Sequence, residues 1–231
     1  MLGALWHRAV HPVEAFGQRA REAPELREAV KGMLLARTPV SFLGLVLGYV
    51  GFGGLYGRLA DPQGEFWTAV VKAAPDFVDP AELKTALAQL PVLPSLHDAL
   101  PWLLLMAPVM ILSVWLHDAA FDHMGLWLAG GLKTRRGVRA TLVADAEALQ
   151  VGVLGAAVGL LGDLPAAGLT VALLLAPVAL YFWVLRGFAL AAWHGCPPWK
   201  GVVATLLHVV LVIVMLVVFL VLCVALVALM V

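Results

Sequence analysis

Residues 202–231, "VVATLLHVVLVIVMLVVFLVLCVALVALMV", hold no Lys, Arg, Asp or Glu. A run this long and this apolar has few places to go. A soluble core hides apolar helices of about 10–14 residues, whereas about 20 consecutive apolar residues are what a bilayer requires of a spanning helix. The whole chain repeats the argument, being 62% hydrophobic where globular domains average about 45–50%. That excess must face lipid, so the chain reads as an all-α polytopic membrane bundle. Its formal net charge of zero gives no reason to expect a nucleic-acid partner. The first partner is the lipid bilayer.

Four further segments qualify as spans, giving five in all: residues 38–56, 100–117, 141–161, 166–193 and 202–231. The third and fourth are joined by "GDLPAAG", which suits a tight turn between antiparallel helices. Residues 1–37 form a charged N-terminal segment, with 38–231 as the membrane domain and 57–99 as its long outer loop. The N-terminal segment contains no continuous apolar stretch of the signal-peptide kind. Its Pro12 and Pro24 stand where helices could begin. Phe16, Leu26, Val30, Met33 and Leu34 would form an apolar stripe, lying either on the membrane surface or against the bundle. In the outer loop, "DPAELKTALAQLP" carries a helix start, with Asp79 as N-cap, Pro80 at the first helical position and Glu82 at the capping-box position.

Short flanks rich in Lys and Arg stay in the cytoplasm. Arg8, Arg19, Arg21, Arg27, Lys31 and Arg37 precede the first span; Lys133, Arg135, Arg136 and Arg139 lie between the second and third; Lys200 follows the fourth. The opposite side holds the acid-rich outer loop and Asp163. The expected topology is N-terminus cytoplasmic and C-terminus outside, with Lys133, Arg135, Arg136 and Arg139 available to anionic lipid or to a protein partner.

Familiar catalytic spacings are absent. The chain contains no Gly-x-Ser-x-Gly and no His-Glu-x-x-His. Cys196 and Cys223 lie in a short loop and in the last apolar run, so they imply neither a disulfide framework nor a zinc site by themselves. The glycines of "GYVGFGGLYG", together with Gly44, recur at four-residue spacing, which lets membrane helices approach closely. No Lys-Ser or Lys-Thr follows to make a phosphate loop.

The spans are polar at one level. At about 1.5 Å per residue, His117 falls roughly 25 Å below Leu100, near the inner edge of a hydrocarbon core about 30 Å thick. Asp118 and Asp122, one turn apart, share a helix face. Asp145 and Glu147 enter near the same level but about 200° apart on their helix, so at most one is expected to face the bundle interior. Arg186 and His208 join the layer from the fourth and fifth spans. Two readings are open. These groups could be interfacial or ion-paired, with Arg186 reaching for water. Alternatively, Asp118, Asp122 and Asp145 or Glu147, with His123 as a further donor, could hold a divalent metal ion, since two carboxylates a turn apart repel unless a cation lies between them.

Three stretches resemble the Yip family, five-span membrane proteins that interact with Ypt/Rab GTPases, in its bacterial branch. They are "HPVEAFGQRAREAPELREAV" with His11, Pro12 and Phe16; "DHMGLWLAGGLKTRRGVRATLVA" with Gly130 and Gly131; and "AWHGCPPWKGVVATLL" with His194, Gly195 and Lys200. The long helical outer loop departs from that pattern, as does the missing Asp-Leu-Tyr-Gly-Pro type signature of the eukaryotic members. The resemblance implies a bacterial inner-membrane protein without enzyme activity, a scaffold or partner-binding module that could act as a homo-oligomer. The alternative from another class is a small ion or metal transporter, or a divalent-metal-binding protein, using Asp118, Asp122 and Asp145 or Glu147. The topology is testable directly: a reporter active only in the cytoplasm gives signal when fused before the first span and none when fused after Val231.

Overall fold

The computed structural model describes residues 2–61, 63–73, 79–132, 136–162 and 168–230. Ten helices run through them: α1 Leu2–Val10, α2 Pro12–Glu22, α3 Leu26–Ala60, α4 Glu65–Ala73, α5 Pro80–Ala88, α6 Leu96–Leu128, α7 Gly137–Val151, α8 Val153–Gly159, α9 Gly168–His194 and α10 Pro198–Met230. Four of them, α3, α6, α9 and α10, are long and apolar enough to cross a membrane, and the bent pair α7–α8 makes a fifth if taken as one span. The protein is thus a polytopic helical membrane protein. The spans alternate in direction, so the start of α3, the end of α6, the start of α7, the end of α9 and the start of α10 share one end. We call this the basic end, after Arg27, Lys31, Arg136, Arg139 and Lys200.

Local chemistry explains the helix limits. Pro12 opens α2, whose missing N–H costs nothing in a first turn, and Ala23 in the left-handed region closes it at φ 49°. Asp79 caps α5 by accepting from the Ala81 amide at 2.8 Å. Ser95 does the same for α6 through the Asp98 amide at 3.3 Å. Two helices stop at the basic end by one device. After α6, the Gly131 amide reaches Leu126 O at 2.8 Å and the Gly130 amide reaches Trp127 O at 3.0 Å. After α9, the Cys196 amide reaches Ala191 O at 3.0 Å and the Gly195 amide reaches Ala192 O at 3.4 Å. Both are Schellman caps, and each requires a left-handed residue, supplied by Gly130 at φ 65° and Gly195 at φ 63°.

Several expected boundaries shift. The helix that carries the second span does not finish at His117: α6 continues to Leu128, because Ala119, Phe121, Gly125 and Leu126 are buried against their neighbours. The 37/38 boundary lies inside α3, which runs unbroken from Leu26, so the first span and the approach to it are one helix. The third span is bent by 47° at Gly152. The N-terminal segment is a helix pair packed on the bundle, with α2 against α9 and α1 against α7. Phe16 is fully buried there, edge-on to Trp193 at 6.3 Å between ring centroids.

Large side chains are packed mainly toward the basic end, where Phe16, Met33, Leu126, Leu185 and Leu190 are fully buried. The helices approach closely where small residues meet. A side chain on Gly201 would run into the Gly187 carbonyl of α9, and one on Gly125 into the Ala204 carbonyl of α10. Beyond His208, by contrast, α10 stands bare, with Ile213, Leu216, Phe219, Leu222 and Leu226 all exposed around its circumference. The glycine stripe of α3 does less packing than its spacing predicts. Only Gly44 has a close neighbour, Leu160 at 3.3 Å, whereas Gly48, Gly53 and Gly57 have open space on their Cβ side. Gly44 and Gly48 instead line a groove of about 520 Å³ against Leu103, Met110, Ile111 and Val114 of α6.

Gly201→Leu should therefore separate α9 from α10 and cost at least about 1–3 kcal/mol, read as a lower unfolding midpoint of the purified protein in micelles. Gly53→Leu should leave the midpoint unchanged.

Candidate functional site

Four helices each deliver an ionisable residue to one level near the basic end. Counting at 1.5 Å per residue, Asp118 lies about 15 Å from the end of α6 and Asp145 about 12 Å from the start of α7. Arg186 lies about 12 Å from the end of α9, and His208 about 15 Å from the start of α10. The packing that buries Gly125 against Ala204 and Gly187 against Gly201 brings these four helices together just above.

Arg186 is the hub. Its Nη1 donates to Asp118 Oδ2 at 2.6 Å and its Nη2 to Asp122 Oδ1 at 2.8 Å. Its Nε stands 2.7 Å from Asp122 Oδ2, an ion pair set off the hydrogen-bonding axis. The guanidinium also lies over the Trp183 ring, 4.9 Å from its centroid. Asp122 Oδ1 is shared with His208 Nδ1 at 2.7 Å. Asp145 is fully buried, with Arg186 Nε 4.0 Å away, and neither of its oxygens has a donor in hydrogen-bonding geometry. A second guanidinium, that of Arg37 on α3, interacts electrostatically with Asp118 from the other side. It has room because Gly152, at the α7–α8 bend, offers no side chain against it.

The expected metal set is thus divided by the fold. Asp118, Asp122 and Asp145 come together, with Arg186 among them and His208 alongside. Glu147 is held elsewhere. It is fully buried, as Asp145 is, but on the opposite side of α7: only Asp145 faces the bundle interior, and α1 and α2 cover Glu147. Arg8 Nη1 donates to Glu147 Oε2 at 2.6 Å and Arg19 Nε to Oε1 at 3.0 Å. Arg19 also pairs with Glu22 at 3.0 Å. Burial works to lower the Arg19 pKa, but Glu22 and Glu147 together outweigh it and hold the guanidinium above its ordinary value. One buried carboxylate thereby fastens both N-terminal helices to the bundle.

His123 joins a third cluster. Its Nδ1 lies 2.8 Å from Thr141 Oγ1, which lies 3.0 Å from His194 Nε2. A hydroxyl can donate to one ring and accept from the other. His117 is half-exposed on the surface of α6, with its Nδ1 3.3 Å from Asp118 Oδ1.

At the basic end itself, Arg136 and Arg139 line a polar groove of about 750 Å³ with Arg21, Ala192 and Trp193. Arg136 Nη1 donates to Trp193 O at 2.8 Å. Lys133 and Arg135 lie outside the described residues. Burial pushes the Cys196 thiol up and nearby Lys200 offsets this only in part, so it is no ready nucleophile near neutral pH. No protein-family model, curated protein or solved structure matches this chain. Its chemistry is therefore read from the site alone.

Sequence pattern missed two things here. Arg37 counted only as a flank charge, and Arg8 and Arg19 only as topology signals. Their signal was available in retrospect: a buried Glu147 two residues from a buried Asp145 demands its own cations.

Removing one partner of a buried ion pair costs about 3–5 kcal/mol. Arg186→Met, which strands three carboxylates, should lower stability by about that much. Asp145→Asn replaces a carboxylate without a donor by an amide that can itself donate, and should be neutral or stabilising. Unfolding of both variants by SDS in mixed micelles measures the contrast.

Proposed function

We propose that the protein is a non-enzymatic scaffold of the Yip type in a bacterial inner membrane, with its basic end in the cytoplasm. The observation that carries this reading is the confinement of polar chemistry to one end. The charged layer lies within about 15 Å of the basic end, and Arg186 fills the space between Asp118 and Asp122 that a passing cation would need. Among the described residues, the far half of α10 offers no polar group except the Cys223 thiol. A conduit would need polar groups through both halves. A scaffold needs a rigid base and an accessible face. Glu147, Arg186 and the two Schellman caps supply the first; the groove bearing Arg21, Arg136 and Arg139 supplies the second. Acidic lipid headgroups or an acidic protein segment fit that groove by charge.

The test separates scaffold from transporter. Protein reconstituted into liposomes should pass protons, Mg²⁺ and Zn²⁺ no faster than protein-free vesicles, and flux above that level would overturn the reading. Changing Arg21, Arg136 and Arg139 together to Gln should leave the fold intact and lower the retention of anionic lipid in the purified protein several-fold.

A further inference from the structure

We propose that His117, Asp118 and His208 form a binding site for a divalent first-row transition metal, built on the outer side of the Arg186 cluster. One donor atom from each residue lies within 4.8 Å of the other two. His117 Nδ1 stands 3.3 Å from Asp118 Oδ1, and His208 Nε2 stands 3.9 Å from the same oxygen. Zinc bonds of about 2.0–2.2 Å in a tetrahedron place neighbouring ligand atoms roughly 3.3 Å apart. The pair on α6 already has that spacing. The α10 histidine needs to close on Asp118 Oδ1 by about half an ångström and on His117 by up to about 1.5 Å.

The surroundings are arranged as a metal site requires. Asp118 divides its two oxygens: Oδ2 takes Arg186 Nη1 at 2.6 Å, leaving Oδ1 for the two histidines. Metal-bound imidazoles usually give their other ring N–H to a carboxylate, which fixes the tautomer and aims the lone pair at the ion. His208 has this partner, Asp122 Oδ1 at 2.7 Å from Nδ1. Arg186 Nη2 is 2.8 Å from that Nδ1 and 2.8 Å from Asp122 Oδ1. With the ring proton on Nδ1, the carboxylate oxygen accepts from both, and the Nε2 lone pair faces Asp118. Phe121 and Trp183 pack against the His208 ring at 5.2 and 5.6 Å between centroids and hold it in place.

The chemistry of the donors narrows the ion. Two imidazoles and one carboxylate oxygen suit zinc, iron(II), cobalt or manganese better than calcium or magnesium, which prefer all-oxygen shells. The His117 side chain is 46% exposed, so the set is open on one side. This differs from a site between the carboxylates, because that space belongs to Arg186.

The inference is independent of the scaffold reading: ion flux would overturn that reading and leave this one standing. The experiment is a calorimetric titration of metal-stripped, full-length protein in nanodiscs with ZnCl₂ alone. Wild type should saturate at one zinc per chain. His117→Ala, at a half-exposed position, should weaken binding by at least about ten-fold, as should Asp122→Asn through the His208 tautomer. His97→Ala, in the first turn of the same helix, should bind as wild type does. Absence of saturable uptake by wild type, or unchanged affinity in His117→Ala, would overturn the proposal.

Discussion

A single guanidinium organises this membrane protein. Arg186 joins α9 to α6 through Asp118 and Asp122, and by way of Asp122 to His208 on α10. In a medium that cannot solvate charge, such a group cannot be exchanged for water, so the four helices that surround it have to stay in register. The close contacts at Gly187–Gly201 and Gly125–Ala204 follow from this requirement. A bulkier residue at either contact would push α10 outward, carrying His208 away from its carboxylate. Small residues and charged ones thus solve one problem together: the glycines allow the approach, and the ion pairs fix its depth.

Glu147 extends the arrangement to the chain's beginning. Two helices, α1 with a mixed apolar and basic surface and α2 largely polar, would not take one fixed position on a membrane bundle by hydrophobicity alone. Arg8 and Arg19, converging on one fully buried carboxylate, give them a defined docking point. Phe16, edge-on to Trp193, fills the space beside it. The basic end is consequently a folded cap, in which side chains from the first helices and from α7 and α9 share one groove.

Much of this was legible in the chain. Uninterrupted apolar runs gave the spans, and Asp118 and Asp122 one turn apart announced a shared face that the fold does bury. Proline marked helix starts at Pro12 and after Asp79. What escaped was whatever depended on partners distant in sequence. Helical periodicity sets Asp145 and Glu147 on opposite sides of α7, but only the docking of α1 and α2 buries both sides. The continuation of α6 past His117 was hidden because its polar residues resemble an exit from lipid, whereas Asp118 and Asp122 face Arg186 and His123 faces Thr141. Arg37 looked like any other flanking charge, since nothing local reveals that Gly152 leaves space for it. The glycine stripe of α3 failed for the opposite reason: its spacing permits close packing without supplying a neighbour.

The bare far half of α10 bears on the membrane itself. From Val209 to Val227 the helix carries nothing more polar than the Cys223 thiol for roughly 28 Å, a close match to a hydrocarbon core of about 30 Å. An unattached helix is free to tilt in the bilayer. This one is held at its base between α6 and α9, where Gly201, Ala204 and His208 fix its direction, so tilt is set by the bundle rather than by the lipid. A bilayer much thinner or thicker than that span has to adjust around the helix, because the helix cannot adjust to it.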